Sequence, residues 1–187
     1  MRIGVLALQG AFIEHQMMLE KMRVDSFQIR NLTDLQQPMD GLILPGGEST
    51  AMGKLLRDLN LFEPLKEKIQ HGLPVFGTCA GLILLASNID DQTNLHFGLL
   101  DIHVKRNAYG RQLSSFMINH PFNGRLIPMI FIRAPYIDLY SKDFTVLSTY
   151  QDKVVAGRYH NILVTAFHPE LSNDTSVHQY FLDMIQN

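Results

Sequence analysis

Cysteine is almost absent from the chain: Cys79 is the single one among 187 residues. One cysteine cannot form an internal disulfide, which indicates a reducing compartment, and we therefore expect a cytoplasmic protein. The formal net charge is only -2, so nothing in the composition indicates a nucleic-acid or membrane partner. The eight histidines show no metal-like clustering, and with one cysteine a zinc site is not expected.

Long hydrophobic runs are also missing from the start of the chain. The first apolar run covers only residues 3–8, which is too short for a signal-peptide core or a membrane span. Hydrophobic residues make up 46% of the sequence and charged residues 18%, a profile typical of one globular domain. We find no internal repeat, low-complexity tract or linker, and therefore assign residues 1–187 to a single domain.

Apolar runs alternate with helical patterns over the first half of the chain. Strands are predicted at residues 2–8, 24–29, 41–44 and 74–77, and helices at residues 12–22, 50–59, 62–71 and 82–86. Parallel strands need crossover connections, so this alternation favours a mainly parallel sheet with helices on both faces. The fold class predicted for this half is therefore α/β.

The second half of the chain is predicted to be rich in β structure. Candidate strands cover residues 99–104, 113–118, 129–132, 144–150, 154–159 and 162–167. A turn at Asn161 between the last two strands predicts a hairpin. The chain then closes with an amphipathic helix at residues 175–185.

Cys79 lies in Gly77-Thr-Cys-Ala-Gly81, between a predicted strand and a predicted helix. A residue in this place sits on a sharp turn, and the small neighbours keep the backbone from clashing. The start of the next helix favours a thiolate over a thiol, so we interpret Cys79 as a nucleophile. The alternative is a buried cysteine that packs as a small hydrophobic residue.

His168-Pro-Glu170 follows an apolar run and supplies the groups that a thiol nucleophile needs. His168 can take and return a proton, and Glu170 can orient its ring. Sites in open α/β sheets gather at the carboxyl ends of the strands, where Cys79 is also expected. The alternative is a surface histidine followed by a turn.

The loop Leu44-Pro-Gly-Gly-Glu-Ser-Thr50 joins a predicted strand to a predicted helix. It does not match a phosphate-binding loop, because Gly47 is one residue too far from Lys54 and Leu55 replaces the hydroxyl residue. We interpret it instead as part of an oxyanion hole made by the backbone N–H groups of Gly47 and Ala80. For Gly46, a tight turn that merely needs glycine remains an alternative.

These three motifs, in this order, resemble those of the triad-type (class I) glutamine amidotransferases. Val104-Lys-Arg-Asn-Ala-Tyr-Gly-Arg-Gln112, Phe131-Ile-Arg-Ala-Pro135 and Leu8-Gln-Gly-Ala11 narrow the resemblance to the glutaminase subunits of pyridoxal phosphate synthases. The sequence departs from the usual sequence pattern of that family at Ser115-Phe-Met117 and near Arg158-Tyr-His160. The second departure is expected to affect the surface beside the site.

The resemblance implies a flavodoxin-like, three-layer α/β domain that hydrolyses L-glutamine to L-glutamate and ammonia through a glutamyl thioester, without a cofactor. It implies that Cys79 is the nucleophile, His168 the acid and base, and Glu170 the group that orients His168. The implied glutamine-binding residues are Gly47, Glu48, Ser49, Arg106, Ile132 and Arg133. A guanidinium suits the carboxylate of an amino acid, whereas composition alone would make Arg106, Arg111 and Arg133 solvated surface charges.

The resemblance also implies a partner. Ammonia would pass to a separate (β/α)8-barrel subunit of pyridoxal phosphate synthase, within a large hetero-oligomer, for synthesis from a pentose phosphate and a triose phosphate. This chain is too short to contain such a barrel, which takes about 250 residues. Two other functions stay open on the sequence: a thiol hydrolase that acts on another amide, and a non-catalytic binding subunit of the same fold.

Overall fold

Strands and helices alternate from Arg2 to Leu85 in the computed structural model, which describes residues 1–90, 96–106 and 115–186. The strands of this half are β1 (Arg2–Leu6), β2 (Asp25–Ile29), β3 (Gly41–Leu44) and β4 (Val75–Thr78). The helices are α1 (Phe12–Lys21), α2 (Leu32–Leu35), α3 (Ser49–Asp58), α4 (Phe62–Gln70) and α5 (Ala80–Leu85).

The second half is mainly β, as predicted. Its strands are β5 (Ala86–Ile89), β6 (Leu100–Lys105), β7 (Ser115–Phe122), β8 (Arg125–Ile132), β9 (Tyr136–Tyr140), β10 (Phe144–Tyr150), β11 (Lys153–Tyr159) and β12 (Ile162–Thr165). A short 3₁₀ turn (Pro169–Leu171) follows β12, and α6 (Ser176–Gln186) follows that turn. No helix in these described stretches is long and apolar enough to cross a membrane.

Five neighbouring strands of the main sheet run parallel, in the order β2-β1-β3-β4-β12. This is the flavodoxin-like order, with β12 in the place of the fifth strand. Beyond β12 the sheet continues through β11, β9, β6 and β5 with antiparallel pairs among them, and β7 and β8 form a separate antiparallel pair. The predicted fold class, α/β with a mainly parallel sheet and a β-rich second half, is confirmed.

The three parallel strands β3, β4 and β12 are buried along their whole length. Leu42, Ile43 and Leu44 of β3 have no exposed surface, and all four residues of β4 are buried. Successive residues of a strand point to opposite faces, so a run buried without interruption is covered on both sides. This explains why the continuous apolar runs predicted these strands within one to two residues.

The predicted hairpin at Asn161 is confirmed, since Tyr159 pairs with Ile162 across an antiparallel turn. Three elements escaped prediction. Helix α2 has only four residues, strand β5 continues directly from the end of α5, and β9 has three exposed residues in a row. Helix α2 and strand β5 are too short for a hydrophobic period to develop, whereas β9, Tyr-Ile-Asp-Leu-Tyr, is made of strand-forming residues that the prediction overlooked. Residues 113 and 114 of a predicted strand lie outside the described residues.

Four chain segments meet at the carboxyl edge of the parallel strands. Gln9 and Gly10 follow β1, Gly46 and Gly47 follow β3, Cys79 follows β4, and His168 follows β12. The chain order reverses between β1 and β3, and the crevice beside such a switch point is where α/β sheets bind ligands. The fold therefore brings the predicted site residues to one place.

Two histidines are fully buried behind this edge, His15 on α1 and His178 on α6. Nδ1 of His15 lies 2.9 Å from Nε2 of His178. Burial lowers the pKa of His178 from 6.5 to about 3. Burial also holds the pKa of His15 well below its ordinary value, with a further lowering from His178 and His168. Both rings are therefore neutral at physiological pH.

We expect acid to destabilise the fold as the pH falls below about 6.5, because both histidines then bind a proton in the unfolded chain but not in the folded chain. For His178 this contribution is complete above that pH and is lost progressively toward about pH 3, and for His15 it is lost in the same direction because burial lowers its pKa as well. Each group adds a slope of about 1.4 kcal/mol per pH unit within the window. Urea unfolding at several pH values should therefore show a shallower pH dependence for His178→Gln than for the wild type, and equal slopes would contradict the assignment.

Candidate active site

Cys79 occupies a sharp turn between β4 and α5. Its backbone has φ 46° and ψ -94°, a conformation that is costly for a residue with a side chain and persists only where the surroundings fix it. The Cys79 N–H donates a 2.8 Å hydrogen bond to the Thr165 carbonyl at the end of β12. A Cβ on Gly81 would lie 2.1 Å from the Leu44 carbonyl oxygen, so the turn requires a glycine there.

His168 and Glu170 form a buried pair just beyond β12. Nδ1 of His168 lies 2.8 Å from Oε1 of Glu170, whose side chain is inaccessible to solvent. The His168 N–H also donates a 2.8 Å hydrogen bond to the Ile130 carbonyl of β8, which fixes the backbone. Because Nδ1–H is donated to the carboxylate, Nε2 is the ring nitrogen that remains available to exchange a proton with another group.

The imidazole of His168 also interacts with Cys79. Burial acts to lower the pKa of His168, but its interactions with Cys79 and Glu170 raise it to about 10. The ring is therefore an imidazolium at neutral pH, hydrogen-bonded to the Glu170 carboxylate. A cation beside a cysteine is the setting in which protein thiols become reactive.

A cavity of about 400 Å³ opens beside Cys79 and His168. Eight of the predicted site residues line it: Gly47, Glu48, Ser49, Cys79, Arg106, Ile132, Arg133 and His168. Two others do not. Glu170 lies behind His168, and Ala80 is buried as the first residue of α5. The structure thus gathers the predicted residues into one pocket, with the carboxylate behind its wall.

Gly46 is required by close packing and not only by a tight turn. A Cβ at this position would lie 2.2 Å from Cε1 of His168. On the other side, the Gly46 carbonyl accepts a 2.9 Å hydrogen bond from the Ala11 N–H. The loop after β3 is therefore held between His168 and the loop after β1.

Gln9 is a pocket residue that belongs to a motif of the resemblance but to which sequence reasoning gave no role in the site. Its Oε1 accepts a 2.7 Å hydrogen bond from the Glu48 N–H, and a Cβ on Gly47 would lie 2.3 Å from the same oxygen. Gln9 lies directly after β1, which is next to β3 in the sheet. The rule that sites form at the carboxyl ends of neighbouring strands was a signal that could have found it.

The pocket carries charges of both signs. Glu48 caps α3 by accepting hydrogen bonds from the Thr50 and Ala51 N–H groups, and Nη2 of Arg106 lies 3.6 Å from its Oε1. Burial acts to raise the pKa of Glu48, but these hydrogen bonds and the charge of Arg106 lower it overall. The exposed Arg133 is a second cation at the pocket.

The structure does not describe all the motif residues that carry the resemblance. The 107–112 part of the Val104 to Gln112 motif, with Arg111, lies outside the described residues. Among those that are described, no group of three or more His, Cys, Asp or Glu side chains could hold a metal ion.

The departure at Arg158-Tyr-His160 is not beside the site, in contrast to what we expected. These residues lie at the β11–β12 turn, where the Asn161 carbonyl accepts a hydrogen bond from Val75 at the start of β4. Cys79 follows the opposite end of β4. The expectation was wrong because the hairpin turn precedes β12, whereas the site follows it.

A model of the SNO glutamine amidotransferase family matches residues 5–187. The chain belongs to this family. Full-length relatives agree with that membership. The pyridoxal 5'-phosphate synthase subunit PdxT of Haemophilus influenzae is 56% identical, with 98% of each chain covered. The protein of the same name from Methanocorpusculum labreanum is 60% identical and covers 99% of this chain and 98% of its own.

Solved structures agree with this amidotransferase family assignment. A crystal structure titled glutamine amidotransferase has a TM-score of 0.93 at 37% identity and covers 99% of both chains. The crystal structure of a putative GMP synthase component from Thermoplasma acidophilum has a TM-score of 0.69 at 19% identity, over 100% of this chain and 94% of its own. At that identity the second structure shows a shared fold only.

Replacing Gly46 with alanine should displace the His168 ring, because the added Cβ has no room beside it. Without the imidazolium in place the thiolate loses its partner, and we expect alkylation of Cys79 by iodoacetamide at neutral pH to slow by about tenfold. Mass spectrometry of the chain measures this rate without ambiguity, since Cys79 is the single cysteine.

Gly72→Ala is the matched control for this experiment. Gly72 also sits in a fixed turn, with φ 98°, but a Cβ there would meet nothing within 4 Å. Its alkylation rate should equal that of the wild type. Equal slowing in both variants would mean that general loosening, and not the contact with His168, sets the reactivity.

Proposed function

We propose that the chain is the glutaminase subunit of a pyridoxal 5'-phosphate synthase and hydrolyses L-glutamine to L-glutamate and ammonia. The family and the PdxT relatives support this function. The observation that supports the chemistry is the buried hydrogen bond between His168 and Glu170, beside Cys79 at the wall of a cavity. A thiol, a base and an orienting carboxylate in series are what acyl transfer through a thioester requires.

In the proposed mechanism, the Cys79 thiolate attacks the side-chain carboxamide carbon of glutamine. The backbone N–H groups of Gly47 and Ala80 stabilise the oxyanion, and His168 gives its Nε2 proton to the leaving nitrogen. The carbon–nitrogen bond breaks, ammonia leaves and a glutamyl thioester remains. Water then gives a proton to His168 and attacks the thioester, which releases glutamate and restores the thiolate. Glu170 keeps Nδ1–H of His168 engaged throughout.

The charges of the pocket suit a free amino acid. A glutamine zwitterion carries an ammonium and a carboxylate, and the pocket presents Glu48 beside Arg106 and Arg133. We propose that the arginines bind the carboxylate and Glu48 attracts the ammonium. Gly47, Ser49 and Ile132 would complete the walls around the carboxamide.

A partner follows from the chemistry of the product. Ammonia diffuses away unless an acceptor site receives it, and the relatives are named as subunits of a synthase. We propose that residues 1–187 act as one glutaminase domain that delivers ammonia to a separate (β/α)8-barrel subunit in a hetero-oligomer. That subunit would combine ammonia with a pentose phosphate and a triose phosphate. A free thiolate nucleophile also suits the reducing cytoplasm.

Cys79→Ala should abolish glutamate release from L-glutamine while thermal unfolding stays close to that of the wild type, since the methyl side chain fits the same turn. Release is measured for the chain alone and in the presence of the barrel synthase. Activity that appears or rises with the synthase and vanishes in the variant supports the proposal. No release from the wild type under either condition would favour a binding subunit, and release from another amide in preference to glutamine would favour a different thiol hydrolase.

Arg106→Gln should raise the KM for glutamine by about tenfold or more with little change in kcat. A charged hydrogen bond to the substrate carboxylate persists from ground state to transition state, so its loss weakens binding and leaves the chemical step alone. Arg125→Gln removes an exposed arginine on β8 that does not line the pocket and should leave both constants unchanged. A fall in kcat at constant KM would place Arg106 elsewhere in the mechanism.

A further inference from the structure

His15 is a buried titratable group that the proposed mechanism does not use. It is fully buried on α1 and does not line the cavity, so glutamine cannot touch it. Its Nε2 lies 3.2 Å from Oγ1 of Thr78 and 3.6 Å from Oε2 of Glu170. That carboxylate oxygen is buried and has no hydrogen-bond partner among the residues that the structure describes.

The proton positions on the two buried histidines follow from their neighbours. If His15 carried its proton on Nδ1, it would donate to His178, and the lone pair of its Nε2 would face the Glu170 carboxylate. His178 would then hold a buried N–H at Nδ1, an atom without a partner in the described part of the chain. The other tautomer avoids both the lone pair that faces the carboxylate and the unpaired buried N–H. In it, His178 donates from Nε2 to Nδ1 of His15, and His15 carries its proton on Nε2.

We propose that His15 is a positioning residue for the Cys79, His168 and Glu170 series, presenting a neutral Nε2–H to Thr78 and to the second oxygen of Glu170. This inference rests on the proposed function and assigns a further residue to the same site. One oxygen of Glu170 accepts from His168 and the other faces His15, so the carboxylate lies between the two rings. A carboxylate fixed in this way keeps the His168 ring directed at the sulfur.

The proposed positioning role requires that His15 is neutral. The titratable groups that face it are His178 from α6, Glu170 from the 3₁₀ turn and, beyond Glu170, His168. Burial, His178 and His168 all lower the pKa of His15, so it offers an N–H dipole and no positive charge. A second cation at this place would compete with the His168 imidazolium for the same carboxylate. A neutral donor stabilises the carboxylate without competing.

The 3.6 Å separation is longer than a full hydrogen bond, and the N–H is shared with the nearer Thr78 oxygen. Both groups are inaccessible to solvent, so no bulk water screens the dipole from the charge. Hydrogen bonds of a catalytic site are often long in an empty enzyme and tighten when substrate is bound. The contact between His15 and Glu170 is therefore well placed to strengthen as charge moves between Cys79, His168 and Glu170 during the reaction.

The first test requires neither an active variant nor glutamine. NMR of the whole chain with ¹⁵N-labelled histidine reads the tautomer of each ring, and the His15 signals are those lost in His15→Gln. We expect His15 to be neutral with its proton on Nε2 between about pH 6 and 8, given the burial that lowers its pKa. A proton on Nδ1, or a charged ring, overturns the proposal whatever the chain catalyses.

The second test compares two variants that differ in where they place an amide donor. The side-chain N–H of His15→Gln can reach the place of Nε2 and face Glu170, whereas that of His15→Asn lies near the place of Nδ1 and faces His178. We expect kcat for glutamate release, with the synthase present, to fall by about tenfold in His15→Asn and to be largely restored in His15→Gln. KM should change by less than about twofold in both, because glutamine does not touch this position.

The pH profile supplies a readout that simple loss of packing would not change. A buried carboxylate that loses a donor takes up a proton more readily, so the acid limb of kcat/KM should move to higher pH in His15→Asn and not in His15→Gln. The exposed His71→Asn is the control and should match the wild type. Equal activities and equal acid limbs in folded His15→Asn and His15→Gln overturn the proposal. A wild type with no glutaminase activity overturns the proposed function instead, while the tautomer still tests His15.

Discussion

His168 and Glu170 are hydrogen-bonded over 2.8 Å in the interior of the protein, and the site is arranged around keeping that pair charged. Removing a carboxylate and an imidazolium from water is costly unless their remaining lone pairs and protons find partners. Here the sulfur of Cys79 lies on one side of the pair and the neutral imidazole of His15 on the other. Cys79 and Glu170 both raise the pKa of His168, which keeps its ring charged.

Close backbone packing keeps these side chains in register. Gly46 leaves room for the His168 ring, Gly81 leaves room for the Leu44 carbonyl, and the loop after β1 is hydrogen-bonded to the loop after β3. A side chain at either glycine would push one strand end away from the next. The chemistry thus depends on distances between loops that are set by the spacing of parallel strands, about 4.8 Å apart.

Local sequence predicted those parts of the structure whose causes are local. Continuous apolar runs predicted the buried strands, and glycines around Cys79 predicted its turn, because burial on both faces and close backbone approach each restrict residue type at the position itself. Gln9 and His15 were missed because their roles depend on partners from other elements: Glu48 for Gln9, and Glu170 and His178 for His15. A lone histidine on an amphipathic helix carries no local sign of what it faces.

The position of β12 has a consequence for the order of events during synthesis. Thr78 of β4 pairs with Thr165 of β12, so the sulfur and the imidazole become neighbours only when the last strand enters the sheet between β4 and β11. Long-range strand pairing of this kind forms late, because a large loop must close first. A nascent chain still attached to the ribosome at residue 150 therefore holds a cysteine without its base. A chain that stops before β12 would therefore lack the proposed hydrolytic centre and leave glutamine untouched.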